Sequence, residues 1–153
     1  MTMPPRFFYF DIAHAIKTHD WIIEHSGGLE GTKNLGDLES PLEHIKNDDY
    51  YPEIEDKLTH IVFSINKNHA FNDGNKRSSL ALGAYFLELN GFDYVVKRFI
   101  KEMENIAVWV ADNVINKELL HQLVTSILYE DEYSENLKIG ILDALEKAGY
   151  LND

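Results

Sequence analysis

What most constrains the fold of this chain is the spacing of its apolar side chains, which recur at helical intervals through most of its length and so select helices over strands. The clearest run is Leu58, Ile61, Val62 and Ile65, at i, i+3, i+4 and i+7, which forms one apolar stripe and carries the chain to Asn68 and His69. An earlier run through Ile12, Ile16 and Ile23 stops at the pair Gly27-Gly28. A later one, Leu80, Ala84 and Leu87, stops at Asn90-Gly91, a usual left-handed helix end, and Gly83 inside it marks close packing of two helices. Ile100, Met103, Ala107, Val110 and Val114 make a further helix, and Leu119, Leu120, Leu123, Val124 and Ile127 the next. Leu137, Ile141, Leu145 and Ala148 make a final amphipathic helix closed by Gly149.

The interruptions are as informative as the runs. Between Gly27 and Ser40 four glycines with Asn34 and Asp37 predict an exposed, mobile loop or small hairpin and argue against a helix. Ser40-Pro41-Leu42-Glu43 then reads as a helix start, with serine as N-cap, proline at the first helical position and glutamate closing a capping box. Phe92 to Phe99 reads as a short extended piece. About six helices therefore account for most of the chain, in an all-α, bundle-like architecture. With 153 residues and 44% hydrophobic content there is enough apolar material for one core. Residues 1–129 form the main domain, and the acidic linker beginning at Glu130-Asp131-Glu132 with the last helix, 130–153, belongs to the same unit.

Twenty-six acidic against fourteen basic side chains give a formal charge of −12, so the surface as a whole repels nucleic-acid backbones and anionic membranes, and neither is expected as a partner. Any phosphate site must be local. The absence of cysteine excludes a disulfide framework, a thiolate nucleophile and a thiolate metal site, and suits a reducing compartment; the cytoplasm is the expected location. The aromatic opening stretch, Met1 to Phe10, lacks the charged flank, long apolar segment and cleavage site of a signal peptide. No apolar run reaches membrane-spanning length.

The densest polar cluster lies between two helical patterns: His69-Ala70-Phe71-Asn72-Asp73-Gly74-Asn75-Lys76-Arg77. A turn followed directly by a helix that opens with Lys76 and Arg77 collects free backbone N–H groups, the positive end of a helix dipole and two cations, which makes an anion pocket on an acidic protein. Gly74 lets the backbone approach a phosphate, Asn75 offers a hydrogen bond and Arg77 a planar fork for phosphate oxygens. Asp73 would repel a phosphate unless a divalent cation bridges them, and Mg²⁺ bound by one carboxylate plus phosphates is the ordinary solution. His69, one short loop away, is a candidate general base for a hydroxyl nucleophile. These are the parts of phosphoryl or nucleotidyl transfer.

The segment resembles the signature of the Fic/Doc family, H-x-F-x-(D/E)-G-N-(G/K)-R, here HAFNDGNKR. The resemblance extends through Gly27-Gly28, the Gly36 to Ser40 stretch and the Phe86 to Gly91 helix end, and covers roughly residues 8 to 115. It implies a helical Fic fold in which His69 deprotonates a Ser, Thr or Tyr hydroxyl on a target protein. It also implies that Phe71 anchors the loop, Asp73 holds Mg²⁺, and Gly74, Asn75, Lys76 and Arg77 bind the phosphates of ATP or another nucleoside triphosphate. The same resemblance makes the region Gly31, Thr32, Lys33, Asn34, Leu35, Gly36, Asp37 and Leu38 a flap that pairs with an extended piece of the target. Lysine at position 76, where adenylyl-transferring members have glycine, and leucine at 80, where they carry a second arginine, are similar to the Doc, or death-on-curing, branch, whose members act as toxins controlled by an antitoxin partner. A long cation at 76 fills space that a diphosphate would otherwise occupy and so favours presenting the terminal phosphate; Gly74 follows the wider family, and the choice between AMP and phosphoryl transfer stays open.

Three other readings stand beside this one. His19-Asp20 is a pair used by metal-dependent phosphohydrolases, although no distant partners accompany it. The chain would alternatively be a catalytically silent nucleotide- or antitoxin-binding module. Family members are also commonly inhibited through (S/T)-x-x-x-E-(G/N), which Ser126-Ile127-Leu128-Tyr129-Glu130-Asp131 approaches except at its last residue, making Glu130 a candidate inhibitory side chain.

Overall fold

The computed structural model describes residues 6–151, so residues 1–5 of the aromatic opening stretch lie outside it. Its elements are α1 (Ile12–Ser26), α2 (Leu35–His44), α3 (Ile54–Asn68), α4 (Asn75–Leu89), a 3₁₀ turn at Asp93–Val95, α5 (Val96–Ala111), α6 (Lys117–Tyr129) and α7 (Glu135–Lys147). The all-α expectation is met. Among the described residues no strand forms, and the flap is a loop whose sheet-like pairing is a single antiparallel bridge between Thr32 and Phe71. No described helix is long and apolar enough to cross a membrane.

Helix α3 is the axis of the molecule: α2, α4, α5 and α6 all pack on it, with α1 against α4 and α7 against α6. The stripe Leu58, Ile61, Val62 and Ile65 is fully buried, but burial continues around the helix to Lys57, Thr59, His60, Ser64 and Asn66. A helix enclosed on several sides has no solvated face, so most of its polar side chains find internal partners. The Lys57 ammonium donates to the Ile45 carbonyl and, at 2.7 Å, to the Asp48 carboxylate. Asn66 Nδ2 donates to the Val62 carbonyl at 2.9 Å and to Ser79 Oγ at 2.8 Å, which ties α3 to the start of α4.

Two local expectations are corrected. Helix α2 begins at Leu35 and not at Ser40: Asn34 Oδ1 accepts the Gly36 N–H at 2.9 Å as an N-cap, and burying Leu38 together with Leu42 one turn on outweighs the helix-breaking tendency of Gly36. Pro41 therefore sits inside the helix, at the cost of one intrahelical hydrogen bond. The piece from Phe92 to Phe99 is not extended; a 3₁₀ turn leads into α5 at Val96, because Val95, Phe99, Met103 and Ala107, spaced by one turn each, all bury against the core. The close approach foreseen at Gly83 is real: a Cβ there would lie 2.7 Å from Cζ of Phe99 and 3.3 Å from Leu58.

Candidate active site

Helix α3 ends at His69, whose backbone is left-handed (φ 48°), and α4 starts after Gly74, also left-handed (φ 76°). These two residues reverse the chain between two buried helices. Helices α1, α2, α6 and α7 each open on a capping side chain and α3 on a Glu53–Asp56 capping box, whereas Gly74 gives α4 none. The first-turn amides of α4 consequently have no side-chain acceptor. Exposed His69 lines the same open concavity, about 450 Å³, as Asn72, Asp73, Gly74, Asn75, Lys76 and Arg77, so imidazole and helix start do share one space.

The loop between them is rigidly built. Phe71 is fully buried. On one edge it faces Thr32, with the Lys33 N–H donating to the Ala70 carbonyl and the Asn72 N–H to the Gly31 carbonyl, both at 3.1 Å. On the other, the Asn75 carboxamide closes on the Phe71 main chain: Oδ1 accepts its N–H at 2.9 Å and Nδ2 donates to its carbonyl at 3.0 Å. Asn75 thus spends its side chain on shaping the loop, and what it presents to the concavity is its backbone. In this pairing pattern Thr32's own N–H and carbonyl point away from Phe71, leaving an outward edge. Of the expected flap, Gly31 to Asn34 form that loop, while Leu35, Gly36, Asp37 and Leu38 are helical and Leu38 is buried.

Asp73 is not the N-cap of α4 but the residue before it. Its Oδ2 accepts the Leu29 N–H at 3.1 Å and its Oδ1 the Gly74 N–H at 2.8 Å. These backbone bonds, the Leu29 one foremost, with the Arg77 charge, hold its carboxyl below the usual aspartate range. Arg77 donates to Ser26 Oγ and to the Gly27 carbonyl at 3.0 Å, and lies 3.9 Å from Asp73 Oδ1. Its guanidinium is oriented by the end of α1. Lys76 reaches the other way, to Glu104 on α5 at 2.9 Å.

Two alternatives lose their geometry. His19 is buried, 1% exposed, with its ring stacked on Phe71 and Nε2 2.7 Å from the Asp73 carbonyl, so it cannot meet a dissolved substrate as a hydrolase ligand. Among the described residues no three His, Asp or Glu side chains group as a metal cage. Glu130 is not brought to Arg77: its neighbour Tyr129 donates to Glu55 at the N-terminal end of α3, whereas the concavity lies at the other end of that helix, roughly 20 Å long. What sequence reading missed was His19 as a support, together with Ser26, Gly27 and Glu104. The signal for His19 was present, since it falls on the buried stripe Ala15, Ile22 and Ile23 of α1.

Comparison with known proteins places the chain in a family. A family model described as the Fic/DOC family matches residues 9–87, just over half of the chain. A protein named protein kinase doc, from Escherichia phage P1, is 35% identical over 80 residues, 50% of this chain and 63% of that protein. A protein named toxin Doc, from Mycolicibacterium smegmatis, is 35% identical over 63 residues, 41% of this chain and 48% of that protein. Each match spans less than two thirds of the relative's own length. The helical core around α3, the loop from His69 to Arg77 at its end and these matches together lead to one conclusion: the chain belongs to the Fic/DOC family.

Proposed function

We propose that this protein moves a phosphate-bearing group from a nucleoside triphosphate, ATP in the simplest case, to a hydroxyl of a target protein. The observation that carries the proposal is the single concavity shared by exposed His69 and the uncapped start of α4. Phosphates docked on the α4 amides would displace Ser26 and Gly27 from Arg77 and gain its charge-assisted hydrogen bonds. His69 would take the proton of the incoming hydroxyl as its oxygen attacks phosphorus and the leaving group departs, the nucleoside diphosphate in phosphoryl transfer or pyrophosphate in AMP transfer.

Asp73 fits a cation of the Mg²⁺ type. It is ionised, each oxygen is oriented by one backbone N–H and retains lone pairs, and its side chain is 45% exposed toward the concavity. One carboxylate with phosphates and water is the coordination Mg²⁺ accepts, and the ion would neutralise charge on the phosphates. Residues Asp73, Gly74, Asn75, Lys76 and Arg77 are then the nucleotide and metal site, Asn75 through its backbone.

Between AMP and phosphoryl transfer we favour the second. Lys76, paired with Glu104 on α5, puts a long side chain on the lining of the concavity where a glycine would leave room for a diphosphate, and one relative carries the name protein kinase. The outward edge at Thr32 suits pairing with an extended target segment. Because Glu130 is remote, control by a separate antitoxin protein is the reading consistent with the relative named as a toxin. The test is incubation with cell lysate and ATP labelled separately at the α and γ phosphates, beside His69→Ala. Protein-bound γ-label means phosphorylation and α-label means AMP transfer. Neither label, with nucleotide still bound, means a silent binding module.

A further inference from the structure

We infer that His19, outside the family signature, is a positioning residue that fixes the Asp73–Gly74 peptide and through it the carboxylate and helix start of the site; this rests on the role given above to Asp73 and Gly74. The His19 ring lies 3.8 Å from the Phe71 ring at 4° between planes, and Nε2 lies 2.7 Å from the Asp73 carbonyl. A carbonyl only accepts, so Nε2 carries the proton. Nδ1 has no hydrogen-bond partner and lies 3.5 Å from the Asp20 carboxylate, so the ring spends its one satisfied polar contact on Asp73. On a stripe otherwise made of Ala15, Ile22 and Ile23, a buried imidazole costs more than an apolar ring would unless that contact matters.

The carbonyl of Asp73 and the N–H of Gly74 belong to one planar peptide, so anchoring the first aims the second. That N–H is the donor to Asp73 Oδ1. Gly74, at φ 76°, gives the peptide little resistance to flipping by itself, since glycine adopts either hand. His19 supplies the missing restraint. The packing around this peptide is close: a Cβ at Gly28 would lie 2.6 Å from Asp73 Oδ2, and one at Gly74 would lie 3.2 Å from Ile23 Cδ1, with His19 Nε2 in ordinary contact at 3.6 Å.

His19→Phe keeps a stacking ring and removes the donor; His19→Gln keeps a donor and removes the stack. In the protein without nucleotide, amide exchange at Leu29 and Gly74 should quicken about tenfold in His19→Phe and stay near the parent in His19→Gln, with α3 and α5 amides unchanged in both. In label transfer, the Mg²⁺ concentration for half-maximal rate should rise about tenfold in His19→Phe, with KM for the target unchanged and recovery in His19→Gln. Parent-like exchange at Leu29 and Gly74 in His19→Phe, or equal impairment of both variants, overturns the inference. A parent protein that transfers no label sinks the transferase reading instead, and the exchange measurement still decides the role of His19.

Discussion

At His60, Lys117 Nζ lies 2.7 Å from Nδ1, and an ammonium can only donate, so that nitrogen holds a lone pair and Nε2 carries the proton, directed at His44 Nδ1 3.2 Å away. Burial first, then the Lys117 charge and His44, lower the His60 pKa from 6.5 to about 4. Between these values the unfolded chain binds the proton and the folded chain does not. Stability from this site is therefore complete above the unfolded value and is lost as pH falls toward 4, by up to about 3 kcal/mol. Urea unfolding from pH 8 to 4 should show that decline, and Lys117→Met should move the His60 titration upward by NMR. In the proposed active site the roles of His69 and Arg77 can be told apart. His69→Ala should leave nucleotide affinity by calorimetry within about twofold and cut turnover at least a hundredfold, the scale of general-base catalysis. Arg77→Ala should instead weaken nucleotide binding about tenfold or more, the scale of a charge-assisted hydrogen bond. The reverse pattern would mean the roles are exchanged.

Helices α4 and α5 meet closely at Gly83. At Gly83 any side chain would enter the Phe99 ring, itself fully buried and unable to retreat. Gly83→Ala should therefore destabilise the fold by about 1–3 kcal/mol despite alanine's better helix propensity, read as a drop in Tm; a rise would show that the helices are free to separate. The turn between α3 and α4 has a different economy. Asn75 replaces a neighbouring strand for the peptide groups of Phe71, so one side chain does locally what a sheet does elsewhere. The same logic explains the false start expected at Ser40. Capping signals exist there, but Leu38 needs the core, and Asn34 supplies an earlier cap.

For the molecule as a whole, α7 is an appendage with a structural claim. Leu137 is buried against the core, Tyr133 donates to Glu102 on α5, and the Glu130 carbonyl accepts from Arg98. Deleting residues 130–153 uncovers apolar surface on α6 and frees Arg98. Thermal stability should fall and label transfer should not rise; increased transfer would restore Glu130 as an inhibitor. With a formal charge of −12, phosphates docking at the proposed site would approach against the global field and would depend on the α4 amides and Arg77 at short range.

Periodicity alone was enough to establish helices at Ile12, Leu58, Leu80, Leu119 and Leu137, because a 3.6-residue repeat is a local property of the chain. The run from His69 to Arg77 was legible as a turn opening a helix, and so as a candidate anion site, for a similar reason: both lie within nine consecutive residues. Only the tertiary structure decided where side chains from distant segments meet. It placed His19 under Asp73, turned Lys76 to Glu104, folded Asn75 back on Phe71 and carried Glu130 to the far end of α3. Such pairings follow from which helix packs on which, and no spacing along the chain encodes them.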